Sequence, residues 1–258
     1  FNKNPKWLIG FSDITILLSH AFAALQTQSI HGQMPYTFDE STPEALESLR
    51  KILFGEQVEY TYKSEFNNRI GNAEGILIGG NLSLLIAVEG SKSEMDYANK
   101  ILFLEDVGEH EYSIDRMMRL LKRAGKLANL KGLIIGAFNE INEEKIPFGQ
   151  TPEEIIWDLV NEYDYPVCFN FPTGHIEDNR AMVLGKSVNL SVEKNKVDFI
   201  YISIFNFVNK AINIIYNSIN SILNPNEIRN IDHGIYLIIL AGILNFVLGF
   251  FLIRKSKE

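Results

Sequence analysis

The sequence predicts an α/β or α+β body, on three observations. Short apolar runs such as Ile101-Leu-Phe-Leu104, Leu133-Ile-Ile135 and Pro166-Val-Cys-Phe169 have the length of buried strands. Longer segments with apolar residues at helical spacing lie between them, as with Ile114, Met117, Met118, Leu120 and Leu121. A hydrophobic share of 46% in 258 residues is enough for a sizeable core, and the aromatic share argues against disorder. Strands alternating with helices place the chain in the mixed classes.

The first element is the run Trp7, Leu8, Ile9, which ends in Gly10-Phe11-Ser12-Asp13 and passes at once into a helix carrying Ile14, Leu17, Leu18, Ala21, Phe22 and Leu25. Residues 29–34 form a short segment holding His31. A helix is predicted from Ser41-Thr-Pro-Glu to residue 53 or 54, started by a Ser or Thr cap with Pro in its first turn and stopped by Gly55. Residues 57–66 alternate in part (Val58, Tyr60, Tyr62) as a strand does. Residues 75–85 read as a strand entering a helix through Gly79-Gly80-Asn81. The strand 101–104 ends on Glu105-Asp106, a helix covers 113–127, and a strand over 133–135 stops at Gly136. A helix begins at Thr151-Pro152-Glu153, and a strand over 166–169 leads to Pro172-Thr-Gly-His175. Two short strands lie between 181 and 199.

Composition excludes several functions. The net charge of −8, from 32 acidic and 24 basic residues, argues against a nucleic-acid binder, and no basic stripe with interleaved aromatics is present. Cys168 is the single cysteine, which excludes an internal disulfide and a cysteine metal cluster; its setting is that of a core thiol. No His-Glu-x-x-His or zinc spacing occurs, and Gly79-Gly80-Asn81 is not a dinucleotide fingerprint. No metal and no cofactor is expected. Glu105 and Asp106 are sequence neighbours whose side chains diverge, which disfavours a glycosidase pair.

Ser12 stands where a strand turns into a helix, a place that displays a side chain next to helix N–H groups. As a nucleophile it needs a base and a group to orient that base; the alternative is a Ser that merely caps a helix. Of the five histidines, His20 lies too far along the same helix, His110 sits in a polar turn, His233 borders an apolar tail, and His31 ends a short strand where a structural role is the better reading. His175, displayed behind Gly174 at a strand end, is the chosen base, against the reading of a satisfied loop histidine. Glu105 or Asp106 is the orienter, since charge at the end of a buried strand needs a partner. The other acid caps the turn at Val107-Gly108; a pair of solvated acids is the alternative. The Asp13 N–H is the natural oxyanion donor, with no second donor evident.

Taken together, Pro5-Lys6-x-x-Ile9-Gly10-Phe11-Ser12-Asp13-Ile14-Thr15, His31-Gly32-x-Met34, Gly79-Gly80-Asn81-Leu82-Ser83-Leu84-Leu85, Leu104-Glu105-Asp106 with Tyr112-x-x-Asp115-Arg116, and Gly174-His175 resemble the LD-carboxypeptidase family of serine peptidases. That family includes the muramoyl-tetrapeptide carboxypeptidases and the microcin C self-immunity peptidases. The resemblance implies a triad of Ser12, Glu105 and His175, and places Gly80 and Asn81 in the substrate pocket. It also implies two domains: a partial N-terminal α/β domain with its linker over residues 1–56, and a C-terminal α/β domain of swivelling type over 57–202 carrying the Glu and His. The implied reaction is hydrolysis of the L,D-peptide bond to the terminal D-alanine of murein tetrapeptides. The alternatives are cleavage of a peptide-like antibiotic and an inactive, truncated, membrane-anchored binding module.

Two features depart from the family. The chain opens on Phe1 and reaches Ser12 almost at once, so an N-terminal fragmentation is expected, with the glycine-rich turn that holds the other oxyanion donor missing. Residues 203–225 form an amphipathic helix of Ile, Phe and Val on one face and Asn, Ser and Lys on the other. Residues 234–253 form an almost unbroken apolar run, and at 1.5 Å per residue about 20 residues span a bilayer core. A transmembrane helix is predicted there, against a buried hairpin helix. Arg254, Lys255 and Lys257 would lie in the cytoplasm and the catalytic body outside; without a true anchor the protein is expected in the cytoplasm. The expected partners are a muropeptide or peptide-like small substrate and the membrane, with a homodimer left open.

Overall fold

The computed structural model describes residues 3, 4, 6–64, 66, 68–142 and 146–202. The amphipathic and transmembrane helices predicted over 203–225 and 234–253 lie outside the described residues. Among the described residues no helix is long and apolar enough to cross a membrane.

In chain order the elements are β1 (Ile9–Gly10), a 3-10 turn (Ser12–Ile14), α1 (Thr15–Ala23), β2 (Ser29–His31), a second 3-10 segment (Pro35–Glu40), α2 (Pro43–Leu53), β3 (Glu59–Tyr62), β4 (Gly71–Asn81), α3 (Leu82–Ala87), β5 (Lys100–Val107), α4 (Glu111–Arg123), β6 (Gly132–Asn139), α5 (Pro152–Val160), β7 (Val167–Cys168), β8 (Met182–Leu184), β9 (Ser187–Val192) and β10 (Val197–Tyr201). They form a mixed α/β fold up to Tyr201 in one unit. A seven-stranded sheet has the order β3-β10-β9-β4-β5-β6-β7, and a three-stranded sheet the order β1-β2-β8. Strands β4 to β7 pair in parallel, while β3, β10, β9 and β4 pair antiparallel.

The apolar runs are strands buried on both faces. Ile101 and Phe103 of β5 belong to one core, together with Leu18, Ile30 and Phe199; Leu102 and Leu104 belong to the other, with Ile114, Met118 and Ile156. Side chains alternate across a sheet, so a strand covered on both sides reads as one continuous apolar run. The helix starts follow local chemistry. Thr42 Oγ1 accepts from Ala45 N–H to cap α2, and Thr151 with Glu154 forms a reciprocal capping box on α5.

Some boundaries differ from the sequence prediction for identifiable reasons. The helix predicted over 113–127 is α4, which stops at Arg123 because Gly125 takes a left-handed φ of 73°. Leu127 is buried all the same, and it extends the apolar spacing past the helix. The strand predicted over 57–66 is limited to β3, an edge strand whose partner β10 offers it only the stretch from Val197 to Ile200. Between 181 and 201 there are three strands, not two. Gly185, at φ 82°, turns the chain from β8 in the small sheet to β9 in the large one. The strand holding Glu105 runs on to Val107, so both acids lie inside β5 rather than at its exit.

Candidate functional site

The carboxyl ends of the parallel strands collect the polar residues of the fold, the usual ligand-binding edge of an α/β sheet. The turn after β1 meets them there. Phe11 is extended (φ −146°), and Ser12 takes a φ of 57°, a strained left-handed conformation for a non-glycine residue of the kind that gathers at functional sites. Gly10 makes the elbow possible, because a Cβ on it would stand 2.8 Å from Ile14 Cγ2. The bulky residue two places after Ser12 is thus accommodated by a glycine two places before it. Ser12 is half-buried and Asp13 exposed. As the second residue of the 3-10 turn, Asp13 has no acceptor for its N–H within that turn.

Glu105, fully buried, and His175 are brought together: Glu105 Oε2 lies 2.7 Å from His175 Nδ1. Beside a carboxylate that nitrogen is the donor, which leaves Nε2 free as an acceptor. The His175 loop is fastened at several points. Asn179 Oδ1 accepts from Thr173 Oγ1 (2.9 Å) and from Gly174 N–H (3.0 Å), and Asn139 Nδ2 donates to the His175 carbonyl at 2.8 Å. A register shift between β5 and β6 sets Leu104 against Ile135 but Asp106 against Phe138, one extra residue on β6. Within this bulge Ala137 N–H donates to the Thr173 carbonyl at 2.9 Å. The Phe11 ring meets the His175 ring edge-on, with centroids 4.9 Å apart, so the residue next to Ser12 touches the imidazole.

Burial draws the His175 pKa down, but the Glu105 carboxylate outweighs it and holds the imidazole above its ordinary value. Burial raises Glu105, opposed by His175. Asp106 adds to both shifts as a neighbouring negative charge.

Asp106 corrects the picture of a simple turn cap. Its Oδ1 accepts from Asn81 Nδ2 (2.8 Å) and Val107 N–H (2.9 Å), and its Oδ2 from Ser83 N–H (3.0 Å) and Ser83 Oγ (2.6 Å). Only the Val107 bond is the predicted turn contact. Gly80 and Asn81 abut α1: Asn81 N–H donates to Thr15 Oγ1 at 3.2 Å, and a Cβ on Gly80 would stand 2.8 Å from Thr15 Cγ2.

The other histidines take different roles. His20 Nδ1 bonds Ser93 Oγ at 3.0 Å, and His110 Nδ1 bonds the Asn142 carbonyl at 2.9 Å and stacks on Tyr112. His31 is fully buried between the Phe11 and Phe103 rings; burial first, then the nearby His175, pulls its pKa down to about 3, against the opposing effect of the neighbouring Asn179 side chain. His233 lies outside the described residues. Cys168 is buried, and its thiol is pushed up to about 12 by burial. No group of three His, Cys, Asp or Glu suited to a metal ion occurs among the described residues.

Sequence reasoning missed Thr15, Ser83, Asn139 and Asn179, which act by holding others. Their signal was weak: each is a small polar residue whose partner lies far away in the sequence or across a loop.

Residues 74–190 match the family model described as LD-carboxypeptidase C-terminal domain, and residues 1–32 match the LD-carboxypeptidase N-terminal domain. The chain is 32% identical over 203 residues to a probable murein peptide carboxypeptidase of Bacillus subtilis, a match covering 76% of this chain and 63% of the relative. It is 31% identical over 198 residues to the murein tetrapeptide carboxypeptidase of Pseudomonas aeruginosa, covering 72% and 63%. To the microcin C7 self-immunity protein of Escherichia coli it is 25% identical over 229 residues, covering 75% and 65%. The chain therefore spans just under two thirds of these relatives. A crystal structure of muramoyltetrapeptide carboxypeptidase from Oxalobacter formigenes superposes with a TM-score of 0.70 at 25% identity, covering 77% of this chain and 68% of that one.

Proposed function

Because the chain belongs to the LD-carboxypeptidase family, we propose that it works as a serine peptidase in which Ser12 is the nucleophile, His175 the base and Glu105 the carboxylate that orients His175. The observation that carries this reading is the 2.7 Å contact from buried Glu105 to His175, on a ring that also touches the neighbour of Ser12.

In this mechanism Glu105 accepts a hydrogen bond from His175 Nδ1–H, which keeps the proton on Nδ1 and leaves Nε2 unprotonated. Ser12 Oγ attacks the carbonyl carbon of the scissile bond while its proton passes to His175 Nε2. The Asp13 N–H donates to the oxyanion of the tetrahedral intermediate. His175 then protonates the leaving amine, the C–N bond breaks, and an acyl-Ser12 remains. Water, deprotonated by His175, attacks the acyl carbon and restores Ser12.

The substrate in this proposal is the tetrapeptide stem of a murein fragment, cut at the L,D bond to its terminal D-alanine; Gly80 and Asn81 support the pocket from behind, since Asn81 is buried with its side chain committed to Asp106 and Leu84 N–H. The likeness to murein peptide and murein tetrapeptide carboxypeptidases of Bacillus and Pseudomonas supports it. A second reading, cleavage of a peptide-like antibiotic, is favoured by the 25% identity to the microcin C7 self-immunity protein. The boundary between the nucleophile-bearing and Glu/His-bearing domains is proposed near residue 56, and a membrane anchor in residues 234–253.

Ser12→Ala and His175→Ala should each lower D-alanine release from a murein tetrapeptide at least a thousandfold. A variant that kept a tenth of the activity would overturn the triad. Release from a peptidyl-nucleotide but not from the tetrapeptide would select the second reading.

A further inference from the structure

Neighbouring acids in β5 face opposite sides of the sheet, and each is bound to a different part of the site. Glu105 reaches His175. Asp106 is buried, and both of its oxygens are engaged by Asn81, Ser83 and Val107. Asn81 is the pivot. Its side-chain oxygen accepts from Leu84 N–H at 3.2 Å to cap α3, its amide nitrogen is held by Asp106, and its backbone N–H reaches Thr15 Oγ1. Thr15 opens the helix that follows the Ser12 turn, and it is fully buried.

We propose that Asp106 is a positioning residue for the nucleophile: through Asn81 it fixes the Gly80–Asn81 turn against Thr15, and so sets Ser12 in register with the His175 that Glu105 holds from the next position of the same strand. The inference rests on the reading of Ser12 as nucleophile. Three features support a positioning role over plain core stability. A carboxylate with four hydrogen bonds has little rotational freedom. Gly80, at φ 143°, lets the turn come so close to Thr15 that a side chain there would collide with it. The charge of Asp106 also acts on the Glu105–His175 pair from across the strand. An apolar residue of similar size at this position would fill the space and supply none of these constraints; the network would be left with unpaired buried donors.

The test is covalent labelling of Ser12 by a small fluorophosphonate, which needs the nucleophile and base in register but not a peptide pocket. It is measured on the full chain beside kcat, KM and thermal unfolding. Asp106→Asn exchanges one of the two carboxylate oxygens for an NH2 donor, so either the Ser83 bonds to Oδ2 or the Asn81 and Val107 bonds to Oδ1 are lost; it should slow labelling at least tenfold and lower kcat comparably, with KM within about threefold. Ser83→Ala removes the Oγ contacts to Asp106, Glu109 and Met117 but keeps the N–H bond to Asp106, and should slow labelling a few-fold; it decides the matter if Asp106→Asn does not fold. Labelling within twofold of the parent in the folded variants, with only the melting temperature lowered, would overturn the inference and leave Asp106 a structural residue. Failure of the parent to label at all, or equal labelling of Ser12→Ala, overturns the nucleophile reading itself and this inference with it.

Discussion

Gly174 lies directly over Glu105: a Cβ on Gly174 would stand 3.1 Å from the Glu105 Cβ and 3.2 Å from its Oε2. The backbone there has a φ of 119°, outside the range side-chain-bearing residues adopt readily. Both facts have one cause. For His175 to reach a carboxylate sunk in the sheet, the chain before it must pass within van der Waals distance of that carboxylate.

Gly174→Ala should therefore cost about 1–3 kcal/mol of stability through backbone strain, and should lower activity more than the lost stability explains, because relief of the clash moves the His175 loop. Urea unfolding and kcat/KM measured at a temperature where the variant is folded separate the two effects. Unchanged kcat/KM would contradict this account of the loop.

The Glu105–His175 contact also sets a pH dependence. The proposed reaction needs neutral His175, and the carboxylate holds its pKa above the ordinary value of 6.5. Activity should then rise with pH through a midpoint above 6.5. Glu105→Gln should move that midpoint down, since the charge that raises it is gone, and should lower kcat by about three to four orders of magnitude because the imidazole loses its fixed tautomer. A pH–rate profile of both proteins, extended to at least pH 9, checks the sign and the size.

Much of this was legible in the sequence, and the boundary of what was legible is physical. His175 and the acid pair Glu105–Asp106 could be chosen because a histidine behind a glycine and charge after a buried run are local signals; the family resemblance singled out Glu105. The elbow at Ser12 was legible for the same reason. The bulge in β6 was not, since it consists of one extra residue opposite a neighbouring strand and leaves no periodicity of its own. Nor was the division of labour between Glu105 and Asp106. Alternation put them on opposite faces, but Asn81 and Ser83, which claim Asp106, are separated from it by more than twenty residues of chain. Residue 185 shows the same limit: a lone glycine marks a turn, but not that the turn carries the chain into a different sheet.

Gly79 gives a prediction about folding. A Cβ there would fall 1.8 Å from the Phe103 carbonyl oxygen, in the middle of the parallel sheet, on a residue with φ 134°. Backbone on both sides leaves nothing that can step aside. Gly79→Ala should fail to reach the native state, or lose more than about 4 kcal/mol, the range reserved for severe core defects. Circular dichroism and solubility of the purified variant check this, and a native melting curve would refute it.

His31 yields a prediction about acid stability. Its ring is fully buried, and burial and His175 lower its pKa to about 3 against the opposing effect of the Asn179 side chain. In the unfolded chain it titrates at its ordinary value of 6.5. Between these two values the unfolded state carries a proton on this residue that the folded state refuses, so stability falls as the pH is lowered from 6.5 toward 3, by up to about 1.4 kcal/mol per pH unit. His175 acts with the opposite sign: its folded pKa is raised, so its contribution is complete below 6.5 and is lost as pH rises through the folded value. His31→Phe keeps an aromatic ring against Phe11 and Phe103 while removing the titration. Its unfolding free energy in urea, followed from pH 7 to pH 4, should fall less steeply than that of the parent, with the two curves diverging below pH 6.5. Parallel curves would mean that His31 already carries its proton in the folded protein, and so has an acceptor within the core.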